Sequence, residues 1–229
     1  QKENRRQWEG FQNLQICDLC VHRGERVIIN NFSLDVEKGQ IVLIFGESGY
    51  GKSTLLNSLL TGKGITGGKI LVDGHDLTEE IESYDLFAMG YQDNYLFRRP
   101  MKENLFYGDT NTQREHKEHI SEKTYPDTEK YLEMLGIDKI IENNHYTFSG
   151  GESRRISIFR TLMQNRPVVL LDEPTSGLDE DNVRQLLKVL KQDCKRHTFV
   201  ITTHDERMVE IADKVYRMKG SNLEGVLST

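Results

Sequence analysis

The strongest constraint on the fold is a continuous stretch in which IVLIF (Ile41 to Phe45) runs into GESGYGKST (Gly46 to Thr54) and on into STLLNSLL (Ser53 to Leu60). An apolar run of that length is far short of the ~20 residues that cross a bilayer. It suits a strand buried on both faces. The segment after the glycines has helical spacing, so the order is strand, loop, helix. Gly46-x-x-x-x-Gly51-Lys52-Ser53 fits a phosphate loop, in which backbone N–H groups cradle phosphates, Lys52 reaches the β and γ groups and Ser53 ligates Mg2+. A strand before and a helix after are the context that such a loop requires. The expected nucleotide contacts are Gly46, Glu47, Ser48, Gly49, Tyr50, Gly51, Lys52, Ser53 and Thr54. Tyr50 stands where small side chains are expected. A loop that works through its backbone tolerates a ring that points away from the phosphates.

A second element, VVLLDE, ends an apolar strand in two acids. Open α/β sheets bind ligands at the carboxyl ends of their strands, so Asp172 is a candidate Mg2+ partner and Glu173 a candidate to polarise an attacking water. The plainer alternative is a strand that runs into a solvated acidic turn. Together the two elements leave NTP hydrolysis and phosphoryl transfer both open.

The remaining pattern sets the fold. LQICDL and FSLDV (Phe32, Leu34, Val36) read as an N-terminal antiparallel layer, and GGKILVDGHDL as a strand ending in an Asp73-Gly74 turn. Residues 102–147 turn polar around a helix, DTEKYLEMLG, closed by Gly136. They form the centre of a helical insertion at about 98–165. A helix then follows from SGGESRRISIFRTLM, a strand at Val168 to Leu171, a helix with Val183, Leu186, Leu187 and Leu190 on one face, and the strand TFVIT. The expected fold is α/β: a P-loop NTPase core with a mainly parallel sheet, an N-terminal antiparallel β layer and a helical insertion. Residues 1–10 read as a linker or mobile arm and 11–229 as one nucleotide-binding domain.

Composition removes other classes. Thirty basic against 36 acidic side chains give a net charge of −6, so no nucleic-acid partner is expected. Three cysteines build no disulfide framework and suit a reducing compartment. Cys17-x-x-Cys20 lacks a second ligand pair for zinc, and on a regular strand residues three apart point to opposite faces. A start at Gln1 rather than Met reads as a processed chain or part of a longer one.

FSGGESRR (Phe148 to Arg155) precedes LLDEPTSGLD, and ITTHD with His204 follows. With GYQDNYLF, this ordered series closely resembles the nucleotide-binding domain of ABC transporters, with Walker A, glutamine loop, SGG signature, Walker B, D-loop and switch histidine in family order over residues 14–219. The resemblance implies an ATPase with Mg2+ and ATP as its ligands. It implies a head-to-tail dimer with a second copy or a homologous domain, in which each signature grips the γ-phosphate bound at the other Walker A. Ser149, Gly150, Gly151 and Glu152 are then cofactor contacts. Their position at a helix start with free N–H groups makes an anion site in its own right. Gln92 would meet Mg2+ and the attacking water, and His204 would hold the γ-phosphate and position Glu173. Asp179 would shape the dimer interface or cap the following helix.

Three positions depart from the family pattern. Arg23, beside His22, stands where an aromatic ring is expected on adenine; its guanidinium plane can stack on a base. Phe148 and Glu152 replace a leucine and a glutamine, and Tyr50 is the third, expected at the dimer interface or packed in its own domain. Tyr95, Leu96 and Phe97 are read either as buried in the insertion or as docking on a transmembrane partner. The function implied is a motor domain that powers transport, held at the cytoplasmic face of a membrane by a transmembrane domain outside this chain. The competing readings are a non-transport ABC ATPase, such as a translation factor or an assembly scaffold, and a small-molecule kinase.

Overall fold

The computed structural model describes residues 6–93, 96, 104–105, 128–142 and 148–228. Two sheets organise these residues. β1 (Asn13–Arg23), β2 (Arg26–Glu37), β4 (Ile65–Val72) and β5 (His75–Asp76) form an antiparallel sheet in the order β2-β1-β4-β5. β3 (Ile41–Phe45), β6 (Phe87–Gly90), β7 (Val168–Asp172), β8 (Thr198–Thr203), β9 (Lys214–Lys219) and β10 (Asn222–Ser228) form the second sheet in the order β10-β9-β3-β8-β7-β6. Every pairing in it is parallel except that of β10 with β9. The expected α/β core and antiparallel layer are both present.

The apolar runs bury both faces because side chains alternate along a strand. Val42, Ile44, Val168, Leu170 and Val200 turn toward the small sheet and α1 (Lys52–Thr61), where Leu55, Leu56 and Leu59 meet them. Ile41, Leu43, Val169, Leu171, Phe199 and Ile201 turn the other way. They meet α2 (Thr128–Met134), α3 (Ile137–Glu142), α4 (Gly150–Leu162) and α5 (Glu180–Asp193). The stripe Val183, Leu186, Leu187 and Leu190 is buried as its spacing predicts. Each such side chain contributes about 1.5–3 kcal/mol by leaving water.

Three details differ from the sequence reading. The helix expected in DTEKYLEMLG closes at Gly136, in the left-handed region at φ 61, and a second short helix follows at once. In β1 the register breaks between Ile16 and Leu19, with Asp18 at φ 48. That β-bulge inserts one residue, so Ile16 and Leu19 both point into the core. Cys17 and Cys20 consequently share the outer face, where a regular strand would have separated them. The bulge leans on Gly68, at φ 85, where a Cβ would lie 2.5 Å from the Asp18 carbonyl oxygen. Gly68→Ala is expected to lower stability by about 1–3 kcal/mol in urea unfolding, since left-handed strain and a backbone clash coincide there.

Within the stretch expected as a linker or arm, Trp8 packs edge-on against His75 and Tyr84, and its Nε1–H donates to Asp73 Oδ2 at 2.8 Å. Arg6 lies over the Tyr84 ring at 5.6 Å. Arg6 therefore pairs with Tyr84 outside the two sheets, and Trp8 is held against the turn between β4 and β5. Leu96 packs against the second core cluster, in line with the burial reading, while Tyr95 and Phe97 lie outside the described residues.

Candidate nucleotide site

The glycine loop springs from the centre of the larger sheet, where the Gly46 N–H donates to the Thr203 carbonyl at 3.2 Å. Gly49 and Gly51 take φ 88 and 90, which only glycine adopts without strain. A Cβ on Gly51 would lie 2.7 Å from Ile28 Cγ2, so β2 and the hairpin carrying Arg23 are set against the loop. Arg23 itself is exposed beside the hairpin turn.

Tyr50 folds back on its own loop. Its hydroxyl donates to Glu47 Oε2 at 3.0 Å, and its Cδ2 comes within 3.4 Å of where a Gly46 Cβ would stand. Glu47, Ser48 and Gly49 are exposed, and Ser53 and Thr54 open the first turn of α1.

The start of α1 has no side-chain cap, whereas α4 and α5 are capped by Ser149 and Asp179. The orphan amides of an uncapped helix start, next to a lysine, suit an anion. Lys52 is nevertheless turned inward. It is 5% exposed, and its ammonium donates to the carbonyls of Gly46 at 2.7 Å and Glu47 at 3.0 Å. It also pairs with Glu173 Oε1 at 3.2 Å.

β7 carries Asp172 and Glu173 to the same end of the sheet, both buried. The Thr202 hydroxyl on β8 donates to Asp172 Oδ1 at 2.6 Å, which orients that carboxylate. Glu173 sits at φ 47 with its N–H donating to the Thr202 carbonyl at 2.9 Å. A non-glycine residue in that region stores about 1–3 kcal/mol, a strain found chiefly at functional positions. Its other oxygen, Oε2, lies 2.9 Å from His204 Nδ1 and accepts the His204 backbone N–H at 3.3 Å. One carboxylate is thus shared by Lys52 and His204, two residues 152 positions apart in number, 52 and 204. The resemblance implied His204 beside Glu173; that Lys52 shares the same carboxylate was not expected.

The signature differs from its expected form. Ser149 Oγ accepts the Glu152 N–H at 3.2 Å, and Glu152 Oε2 accepts the Ser149 N–H at 2.7 Å. This capping box uses two donors that the sequence reading left free. Gly151 faces the D-loop, since a Cβ there would lie 3.3 Å from the Gly177 carbonyl oxygen. Asp179 caps α5 by accepting the Asn182 N–H at 2.9 Å, and that hydrogen bond holds its carboxyl below the usual range. Gln92 is exposed just beyond the end of β6.

The donor set fits Mg2+ and phosphate chemistry: a hydroxyl on Ser53, a carboxylate on Asp172 with one oxygen held by Thr202, and the uncapped helix start between them. One buried group escaped the sequence reading. Arg154, on α4, is 3% exposed, and no periodicity separates it from its neighbour Arg155, whose Nη1 donates to the Leu135 carbonyl at 2.8 Å.

Residues 29–176 match the family model described as ABC transporter. The ATP-dependent lipid A-core flippase of Photorhabdus laumondii is 34% identical over 202 residues, covering 86% of this chain and 34% of that protein. A macrolide export ATP-binding/permease protein of Mannheimia succiniciproducens is 30% identical over 205 residues, 86% of this chain and 31% of its own length. The chain therefore spans about a third of the length of these curated relatives. Among solved structures, a bacterial Atm1-family ABC exporter with ATP bound superposes with a TM-score of 0.83 at 23% identity, over 100% of this chain and 41% of that one. An ATP-binding cassette in a dimeric post-hydrolysis state, bound to ADP and Pi, gives 0.75 at 21% identity, over 94% and 98% of the two chains. The glycine loop, the acids that close on it and the matching family model agree: this chain belongs to the ABC transporter family and is an ATP-binding cassette domain.

Proposed function

We propose that the chain is the ATP-hydrolysing motor of a membrane transporter and works as a head-to-tail pair with a second copy or a homologous domain. The observation that carries this reading is Glu173, buried at the end of β7 and shared between Lys52 and His204. ATP phosphates that draw the Lys52 ammonium into the loop take it from Glu173 and leave that carboxylate to accept a proton from water. His204, with its exposed ring, lies beside the same carboxylate, and its role would be to meet the γ-phosphate. Ser53 and Asp172 would hold Mg2+, which supplies charge neutralisation at the phosphates when bound. Gln92, just beyond the end of β6, would complete the set, and Arg23 would stack on the base.

The capped signature bears on pairing. Glu152 adds a carboxylate to a helix start that would receive a second molecule's phosphate, while Gly150 leaves open space at the same turn. No helix among the described residues is long and apolar enough to cross a membrane, so the transport reading needs a transmembrane partner domain at a cytoplasmic face. The flippase and exporter relatives support that partner, and their names say what those proteins move, not what this one does.

The test is hydrolysis by the intact protein in lipid nanodiscs. Turnover is expected to require Mg2+, to stop on chelation and to rise cooperatively with ATP. An unchanged rate in chelator, or a linear rise with no sign of two sites, overturns the reading. Tyr50 offers a narrower check on the pairing. Tyr50→Ser removes the hydroxyl contact with Glu47 and the ring beside Gly46. ATP affinity is expected to stay within about threefold, because the loop binds through its backbone. ATP-driven association is expected to weaken by about tenfold, the loss of roughly one good aromatic contact at an interface. Equal association of the two proteins removes Tyr50 from the interface.

A further inference from the structure

Among the described residues β6 is the edge of the larger sheet and pairs with β7, and the chain passes from its end to Gln92. Helix α4 lies close over that edge: a Cβ on Gly90 would stand 3.2 Å from Thr161 Oγ1 and 2.8 Å from Leu171 Cδ2. Arg154 lies two turns earlier on the same face of α4 as Thr161, because seven residues return a helix nearly to its starting azimuth. Its Nη1 donates to the carbonyl of Tyr91 at 2.7 Å, the residue directly before Gln92. Whereas the Tyr91 side chain is exposed, the guanidinium is buried. Burial lowers its pKa, while the carboxylates of Asp172, Asp93 and Glu173 act to raise it. A buried cation from the signature helix therefore holds the backbone that presents Gln92, and the carboxylates of Asp172 and Glu173 act on its charge.

We infer that Arg154 is a positioning residue that clamps the Gln92 loop to the signature helix, so that the placement of that helix is passed to Gln92. The inference rests on the nucleotide-site reading given above. An arginine suits the task because its rigid fork keeps a directed hydrogen bond to a carbonyl while its charge faces carboxylates. A helix that carries the signature and grips the Gln92 loop moves the two as one body.

The experiment is a double-mutant cycle in the intact protein, with Arg154→Met, Arg154→Lys, Gln92→Ala and the double variant Arg154→Met/Gln92→Ala. Arg154→Met is expected to lower kcat about tenfold with the KM for ATP within twofold, the pattern of a lost orienting contact. Arg154→Lys is expected to recover part of that loss. Adding Arg154→Met to Gln92→Ala is expected to change little, because Arg154 acts through Gln92. Backbone amides of residues 91–93 are expected to exchange hydrogen faster in Arg154→Met than in the wild type. Multiplying effects in the cycle, or a raised KM at unchanged kcat, overturn the inference. If Gln92→Ala turns over at the wild-type rate, the role of Gln92 falls, and amide exchange alone decides: faster exchange at 91–93 upholds the clamp, and unchanged exchange removes it. Should Arg154→Met not fold, Arg154→Lys and Arg154→Gln carry the same readouts.

Discussion

Glu173→Gln is expected to lower ATP turnover by about 10²–10⁴-fold, the range that a positioned general base contributes. The amide keeps the size of the side chain and its hydrogen bond from the His204 N–H, which arrives at Oε2 from 3.3 Å. It loses the negative charge that Lys52 faces at 3.2 Å. With Glu173 neutral, the ammonium has less to hold it away from the phosphates. ATP affinity is therefore expected to stay equal or to tighten while hydrolysis collapses. Rate and affinity separate cleanly: single-turnover hydrolysis measures the first and labelled-nucleotide binding the second. Fast turnover by the variant contradicts the assignment of the base. Weak binding with a modest loss of rate would instead mean that Glu173 serves to hold Lys52 in place.

Asp193→Ala is expected to cost about 2–6 kcal/mol of stability, because two buried polar groups lose their shared partner at about 1–3 kcal/mol each. Asp193 ends α5 and is almost wholly buried. The Tyr131 hydroxyl on α2 donates to its Oδ1, and His197 Nδ1 lies 2.6 Å from its Oδ2. Burial, and then the hydrogen bond to Asp193, push the Tyr131 pKa well above its ordinary value. Truncation leaves a phenol and an imidazole buried without their shared acceptor. At about 2–4 °C per kcal/mol for a chain of this size, the melting temperature is expected to fall by roughly 10 °C. Tyr131→Phe removes one bond only and is expected to cost about 1–2 kcal/mol. A loss under about 1 kcal/mol for Asp193→Ala in urea unfolding would show that the site relaxes or admits water. Because Tyr131 lies on α2 and Asp193 on α5, the same variant also tests how firmly those two helices are joined.

Most of the fold was legible because its signals are local. A strand buried on both faces, a glycine loop and a stripe at 183, 186, 187 and 190 are short-range patterns, and each became the expected element. The strands β6, β9 and β10 were not foreseen; Phe87–Gly90 is too short for a period to emerge. The bulge at Asp18 was equally hidden. One inserted residue changes the facing of every later side chain in β1, and no residue type announces it.

Lys52, Asp172, Glu173 and His204 each carried a mark in the sequence through residue type and order along the chain. Of their arrangement, only His204 beside Glu173 was expected, through the family resemblance. That Glu173 lies between Lys52 and His204, in a strained backbone conformation, follows from β3, β7 and β8 lying side by side in the order β3-β8-β7. The same holds for the self-capped signature, for Tyr50 bonded to Glu47 and for Arg154 reaching the Tyr91 carbonyl. The sequence by itself determined the family, the phosphate loop and which residues could do chemistry, because these are properties of residue types at fixed spacing. Only the tertiary structure decided which charges meet, because distances between residues far apart in the chain are set by sheet order and packing.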